Sequence, residues 1–305
     1  MKVLVTGGAG FIGSHIVDAL AERGHDVAVL DNLTTGRKGF VREDAELYVG
    51  DVNGDELRQA IGRFKPEIVI HHAAQIDVQA SLKRPVFDAE VNILGTIRLL
   101  EACRDYGVAK IVYASSAAVY GMPEKLPIDE THGIRPMSFY GISKYVPEHY
   151  IQTFGELYGL DYTVLRYANV FGERQDPRGE GGVVSIFADR LLRGETPVIF
   201  GDGEQTRDFV YVKDVAAANV AALDRGGKGV YNVSRNERTS VNELLRVMCE
   251  LSGAPFAPEY RDARSGDIAH SRLDNARARR DLDWSPETPL REGLRATLDF
   301  YRERQ

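Results

Sequence analysis

A chain of 305 residues, 43% hydrophobic and 27% charged, has the length for one large domain or two closely packed ones and the balance of a soluble globular protein. Its net charge of −7 excludes a general binder of nucleic-acid backbones, and its two cysteines, Cys103 and Cys249, lack the spacing of a disulfide framework or a thiolate zinc site. No apolar run approaches the ~20 residues of a membrane-spanning helix, and a strand pattern starting at Lys2 leaves no room for a signal peptide, so the expected setting is the cytoplasm.

Along the first two thirds, short β-branched runs at 2–6, 26–30, 46–49, 68–72, 110–114 and 162–167 alternate with helical periodicity at 15–23, 56–64, 91–106 and 139–157. The strands are nearly all apolar, which predicts an α/β fold with a doubly wound parallel sheet covered on both faces. After residue 166 turns rich in Gly, Asp and Pro take over, with a helix at 183–193 and regular structure again at 215–223 and 230–233. Ser240-Val241-Asn242-Glu243 has the form of a capping box and opens another helix. The expected division is a Rossmann-type dinucleotide domain over 1–166, joined by parts of 213–234, and a smaller C-terminal α/β substrate-binding domain over 167–305. The basic run Arg277, Arg279, Arg280 alternates with Asp274, Asp281 and Asp283, as a solvated helix face does.

Thr6-Gly7-Gly8-Ala9-Gly10-Phe11-Ile12-Gly13 joins the first strand to the first helix. Gly7, Gly10 and Gly13 let the turn tighten, so that the amides of Phe11, Ile12 and Gly13 can face a pyrophosphate at the helix N-terminus, where the dipole favours an anion. The spacing is GxxGxxG rather than GxGxxG, and glycine turns also serve helix–strand packing; the position between an apolar strand and an amphipathic helix favours the dinucleotide. Asp31 ends the second strand, placed to accept the adenosine ribose hydroxyls and to repel a 2′-phosphate. Asn32 follows it where an arginine would have indicated NADP, so the expected cofactor is NAD. Asp51, next to Val52, is placed for the adenine amino group, and the small Ala73 and Ala74 let backbone approach the cofactor. The adjacent His71 and His72 point to opposite strand faces, which argues against a metal site.

Tyr140 and Lys144 follow Ser138, an expected N-cap, and their spacing of four places both on one helix face. A tyrosine, with an ordinary pKa of about 10, is a weak base at neutral pH; an adjacent ammonium stabilises the phenolate, and a drop of ~3 units takes ~4 kcal/mol.

With these motifs in this order, the sequence resembles the extended short-chain dehydrogenase/reductase family and, within it, the sugar-nucleotide 4-epimerases. The resemblance runs from Met1 to Tyr301 through TGGAGFIG at 6–13, DN at 31–32, GD at 50–51, HHAAQ at 71–75, NILGT at 92–96, SSAAVYG at 115–121, YGISK at 140–144 and LRYANVFG at 165–172. It implies that Ser116 completes the catalytic set with Tyr140 and Lys144, hydrogen-bonding O4 of the sugar, and that Asn92 belongs to the NAD site. It also implies that Asn169, Arg207 and Arg264 hold the substrate diphosphate, Phe200 lies beside the uracil, and Ser271 stands against the sugar's 2-position. The implied reaction is NAD-dependent 4-epimerisation of a UDP-hexose through a transient 4-keto sugar. A homodimer paired through the helices near 89–106 and 139–157 is implied as well, with no nucleic-acid or membrane partner.

Two features depart from the pattern. Pro147 lies inside the predicted catalytic helix, where a kink is expected, and Ile76 stands where many epimerases carry a lysine. A 4,6-dehydratase would carry an Asp-Glu pair after the catalytic hydroxyl, but Ala117 and Ala118 stand there. A decarboxylase or a 4-reductase is compatible with the fold. A non-catalytic NAD sensor would have no need of Ser116, Tyr140 and Lys144 together.

Overall fold

The structure, a computed structural model, describes residues 1–178, 182–263 and 268–304. Strands β1 (Lys2–Thr6), β2 (Asp26–Asp31), β3 (Glu46–Val49), β4 (Ile68–His71), β5 (Lys110–Ser116) and β6 (Asp161–Tyr167) lie side by side, all parallel. Helices α1 (Phe11–Glu22), α2 (Asp55–Phe64), α3 (Val78–Lys83), α4 (Pro85–Ala89), α5 (Gly95–Tyr106) and α6 (Phe139–Tyr158) join them. Successive strand side chains go to opposite faces. Val3, Val5, Val27, Val29, Ile68 and Ile70 pack with Ile16, Val17 and Leu20 of α1. Leu4, Ala28, Leu30 and Val69 pack on the other side with Leu57, Ile61, Leu99, Leu100 and Ile151 of α2, α5 and α6. Burying one such Val, Leu or Ile is worth about 1.5–3 kcal/mol, and strands buried on both faces read as the unbroken apolar runs seen in the sequence.

Beyond β6 the chain leaves the sheet for β7 (Asn169–Phe171), α7 (Val183–Leu192), β8 (Val198–Phe200), β9 (Thr206–Arg207) and β10 (Phe209–Tyr211). It returns with α8 (Val212–Asp224), which covers the α1 face of the sheet, and β11 (Gly229–Val233), which pairs in parallel with β6. The seven-stranded order is thus β11-β6-β5-β4-β1-β2-β3. The chain leaves again for β12 (Thr239–Ser240), α9 (Val241–Ser252), β13 (Glu259–Arg261), α10 (Ala276–Asp281) and α11 (Leu290–Arg302). Phe171, Phe187, Phe209, Leu244, Met248, Leu294 and Leu298 form a second core there. Ser240 and Glu243 make the expected capping box at the start of α9.

The helix expected over 91–106 is interrupted. Glu90–Leu94 is a single π turn between α4 and α5. Side-chain demands explain the extra residue: Asn92 is drawn inward to bond Gln75 and Ser143, while Gly95 lies so close to Val52 that a Cβ there would meet its Cγ2 at 2.9 Å. Such turns recur at functional sites. At Pro147, by contrast, α6 runs unbroken from Phe139 to Tyr158. Among the described residues no helix is long and apolar enough to cross a membrane.

Candidate active site

The strand order reverses between β1 and β4, and the crevice at their C-terminal ends is where open α/β sheets bind ligands. Gly7, with φ of 70°, lies against β4: a Cβ on it would stand 2.6 Å from the Ala73 amide nitrogen. A Cβ on Gly13 would meet the Gly7 carbonyl oxygen at 2.1 Å. Only glycine at both positions lets the turn close. Gly10 begins α1 with no side-chain cap, so the first amides of the helix, from Phe11 onward, are left to a ligand. The chemistry of this cradle fits a pyrophosphate.

Asp31 is buried at the end of β2, where its carboxylate accepts the amides of Ala9 (3.0 Å) and Leu33 (2.8 Å) and keeps acceptor capacity for ribose hydroxyls. Burial raises its carboxyl above the ordinary range, opposed by those two amides. The Asn32 amide donates to Asp51 Oδ2 (2.7 Å), linking the ends of β2 and β3, while Val52 is buried beneath α5. Ala73 donates its amide to Thr6 Oγ1 (3.2 Å), with Ala74 next to it in the loop after β4. These groups line one crevice and fit NAD.

His71 and His72 do diverge. His71 is held between Thr6 Oγ1 (2.7 Å from Nδ1) and Thr96 Oγ1 (3.0 Å from Nε2), and Thr96 donates its own proton to the Asn92 carbonyl. That chain makes Nδ1 the acceptor and Nε2 the donor, a neutral imidazole; burial pushes its pKa down to about 3. His72 meets Tyr167 Oη (3.0 Å) and Asn219 Oδ1 (3.3 Å) instead. Among the described residues no three His, Cys, Asp or Glu side chains are grouped to hold a metal.

α6 starts with Ser138 capping the Gly141 amide (3.1 Å), as expected, and Tyr140 is in its first turn. The helix abuts the turn Ala117–Val119 that follows β5: a Cβ on Gly141 would meet the Ala118 carbonyl oxygen at 2.7 Å. The start of α6, with Tyr140 in its first turn and Lys144 in the next, is therefore held against the strand end that carries Ser116. Ser116 Oγ accepts the Ala118 amide at 3.2 Å, which leaves its proton to donate. The Tyr140 amide is fixed to Ser81 Oγ of α3 (3.1 Å). Lys144 is buried, its Nζ 4.9 Å from the centre of the Tyr113 ring. Burial lowers its pKa to about 8, against the pull of Asp88 and Glu148. An ammonium that sheds its proton this readily is one whose charge is poorly solvated, and it gains most from a phenolate beside it.

Asn92, together with side chains that the sequence did not single out, supports this set. The Asn92 amide donates to the Gln75 carbonyl (2.9 Å) and Ser143 Oγ (2.9 Å), tying the loop after β4 to α6 beside Lys144. Gln75 in turn donates to buried Asp88 (2.6 Å). One turn after Lys144, Glu148 meets Arg166 through two contacts, 3.0 and 2.5 Å, and accepts the Ser115 hydroxyl at 2.5 Å. The only signal for that pair was the i,i+4 spacing of Lys144 and Glu148; Arg166 is distant in sequence.

The residues expected at the sugar nucleotide lie across the crevice. Asn169 is exposed on β7, whose partner β10 begins two residues after Arg207. Arg207 Nη1 donates to the Thr206 carbonyl (3.0 Å), and Ser271 donates its amide to that same carbonyl (3.1 Å). Phe200 ends β8. Asn169, Arg207 and Ser271 are thus brought onto one stretch of backbone; Arg264 lies outside the described residues.

The sequence pattern of the NAD dependent epimerase/dehydratase family matches residues 3–234. The crystal structure of UDP-glucose 4-epimerase from Thermotoga maritima with UDP-glucose matches at a TM-score of 0.97 and 45% identity, covering 100% of this chain and 99% of that one. The UDP-glucose 4-epimerase of Thermus thermophilus, in complex with NAD, matches at 0.94 and 45% identity over 99% of each chain. A UDP-N-acetylglucosamine 4-epimerase from Methanobrevibacter ruminantium, in complex with UDP-N-acetylmuramic acid, matches at 0.95 and 35% identity over 100% of this chain and 99% of that one.

Proposed function

The chain belongs to the NAD dependent epimerase/dehydratase family, and from that premise we propose that it inverts C4 of UDP-hexoses, interconverting UDP-glucose with UDP-galactose and the corresponding N-acetylhexosamines. What supports this reading is the start of α6, which carries Tyr140 and Lys144, held against the turn after Ser116, and Ala117 and Ala118 in place of the acid and base that water elimination needs. NAD, when bound, accepts and returns the hydrogen at C4, so that a transient 4-keto sugar separates the two epimers. Tyr140 takes the proton from the sugar O4 and gives it back after the sugar has turned, and the Lys144 ammonium stabilises the phenolate. Ser116 donates to O4 and fixes its direction. Asn169, Arg207 and Arg264 hold the diphosphate while the hexose rotates about its link to it; guanidinium forks suit that task better than a lysine would. Phe200 packs beside the uracil. In this arrangement residues 1–166 with 213–234 carry NAD, and the remainder of the chain carries the nucleotide sugar.

The test is a panel of UDP-sugars with products separated by chromatography. UDP-glucose should yield an equilibrium mixture with UDP-galactose; a 4-keto-6-deoxy product would overturn the epimerase reading in favour of a dehydratase. UDP-N-acetylglucosamine should be turned over as well, because Ser271 leaves several heavy atoms of space beside the 2-position that a tyrosine would fill. The same panel run on Ser271→Tyr should lose roughly tenfold or more on the N-acetylated sugar and keep most activity on UDP-galactose, since packed protein relieves an overlap of that size poorly. Equal loss on both sugars would remove Ser271 as the gate.

We also place the enzyme in the cytoplasm, a setting that suits its free cysteines, and we propose that it is a homodimer. Leu94, at the start of α5, and Ile142, Tyr150 and Leu157 of α6 are all exposed, Leu157 at 68%. Both helices thus present apolar side chains to solvent on their outer side, which is what a helix-pair interface requires. Light scattering at micromolar protein should give twice the chain mass, and a monomer would count against the dimer.

A further inference from the structure

Asp208 takes no part in the chemistry above, yet it is one of the most buried carboxylates in the molecule, 1% exposed. Among the described residues no cation forms an ion pair with it. Its acceptors are used by backbone: Oδ1 by the Arg235 amide (3.0 Å), Oδ2 by the amides of Asn236 (3.1 Å) and Leu273 (3.2 Å). Its own carbonyl accepts the Asn169 amide at 2.9 Å. Each of these bonds leads to the sugar-nucleotide side of the crevice. Arg207 is its neighbour in the chain, Asn169 is held by its main chain, and Leu273 is two residues from Ser271. The turn at Arg235 and Asn236, where Asn236 has φ of 60°, is stitched to the same segment, because Ser234 Oγ donates to the Leu273 carbonyl (3.0 Å) and Asn275 to the Ser234 carbonyl (2.7 Å).

We propose that Asp208 is the positioning residue of the diphosphate site, a single carboxylate that sets Asn169, Arg207 and the segment of Ser271 at fixed separations so that a UDP moiety meets them without reorganisation. The proposal rests on the function read above. Its physical content is pre-organisation: a side chain that holds several binding groups in register lowers the ordering cost of binding and leaves the reacting atoms untouched. Asparagine at this position has the same shape but turns an NH2 group toward at least one of the three amides. A buried amide left without its acceptor is costly, so one or both turns must move.

The test compares wild type with Asp208→Asn at pH 8.5. Burial pushes the Asp208 carboxyl up to about 7, so at this pH it is ionised in the wild type. UDP itself, titrated by calorimetry, is the probe. The variant should bind UDP roughly tenfold or more weakly, and the KM for UDP-glucose should rise by a similar factor. Its kcat should stay within about threefold, and its NAD affinity should not change. A kcat that falls with KM unchanged, or UDP affinity equal to that of the wild type, would overturn the proposal. Asp208→Glu, which keeps the charge but overreaches by one methylene, should move UDP affinity in the same direction. Failure of both variants to fold, read by circular dichroism, would assign the carboxylate to the stability of the whole chain and overturn a site-specific role. If wild-type protein binds UDP but epimerises no UDP-hexose, the functional reading fails while the comparison of UDP affinities still decides the role of Asp208.

Discussion

Tyr140→Phe should bind NAD and UDP-glucose as the wild type does and turn over at least roughly 10²-fold more slowly, the usual contribution of a positioned proton-transfer group. The substitution removes one oxygen from the first turn of α6 and leaves the contacts described above for that turn. The Ser138 cap, the bond from the residue 140 amide to Ser81 and the close approach of Gly141 to Ala118 are all made by other atoms. The loss should therefore be confined to kcat. Ser116 cannot substitute for the phenolate, because an isolated serine hydroxyl is a far weaker acid than phenol and its oxygen already accepts the Ala118 amide. Steady-state kinetics beside calorimetric NAD binding would check this, and activity near that of the wild type would take Tyr140 out of the proton transfer.

Glu148→Ala is the change expected to cost most in stability, about 3–5 kcal/mol. Glu148 and Arg166 are 1% and 5% exposed, and alanine would leave the guanidinium buried against the neutral Tyr120, whose hydroxyl is 3.0 Å from Nη1, without the carboxylate that pairs with it. Ser115, beside Ser116, would lose its acceptor as well. For a chain of this size the midpoint of thermal unfolding should fall on the order of 10 °C. The pair itself is another matter, since two charges withdrawn from water recover little net energy. A double variant, Glu148→Leu with Arg166→Met, should accordingly unfold at a higher temperature than Glu148→Ala alone. A single variant within about a degree of wild type would mean that solvent reaches Arg166, contrary to its burial.

The framework of the sheet was legible because β1, β2, β4, β5 and β6 are buried on both faces over most of their length and so carry apolar runs, whereas the edge strand β3 is half-buried to exposed. The glycine turn was legible for a related reason, since backbone contacts at 2.1 and 2.6 Å leave no choice of residue. What escaped reading depends on partners distant in the chain. Residues 230–233 were expected to rejoin the first domain, but their pairing with β6 in particular follows from a crossover that no local pattern encodes. The π turn at Glu90–Leu94 arises because Asn92 answers to Gln75 and Ser143, while its own neighbours in sequence are good helix formers. Arg166 read as part of an apolar strand with one odd member, and its meaning appears only with Glu148 opposite. Asp208 was harder still: its three donors are main-chain amides, which every residue but proline possesses and no sequence letter marks.

The three passages of the chain between sheet and crevice bear on how the protein can come apart. Edge strand β11 and the covering helix α8 are synthesised only after half of the second core has emerged, so a nascent chain ending near residue 166 carries β6 as an unpaired edge and the α1 face of the sheet without its cover. Such an edge is a template for other chains. Cutting at the apparent border of the two lobes would therefore give two sticky fragments, and a stable engineered version should join new segments at surface turns within one passage. The same weave means that neither lobe can unfold fully while the other remains intact, so loss of the second core is felt as loss of the whole molecule.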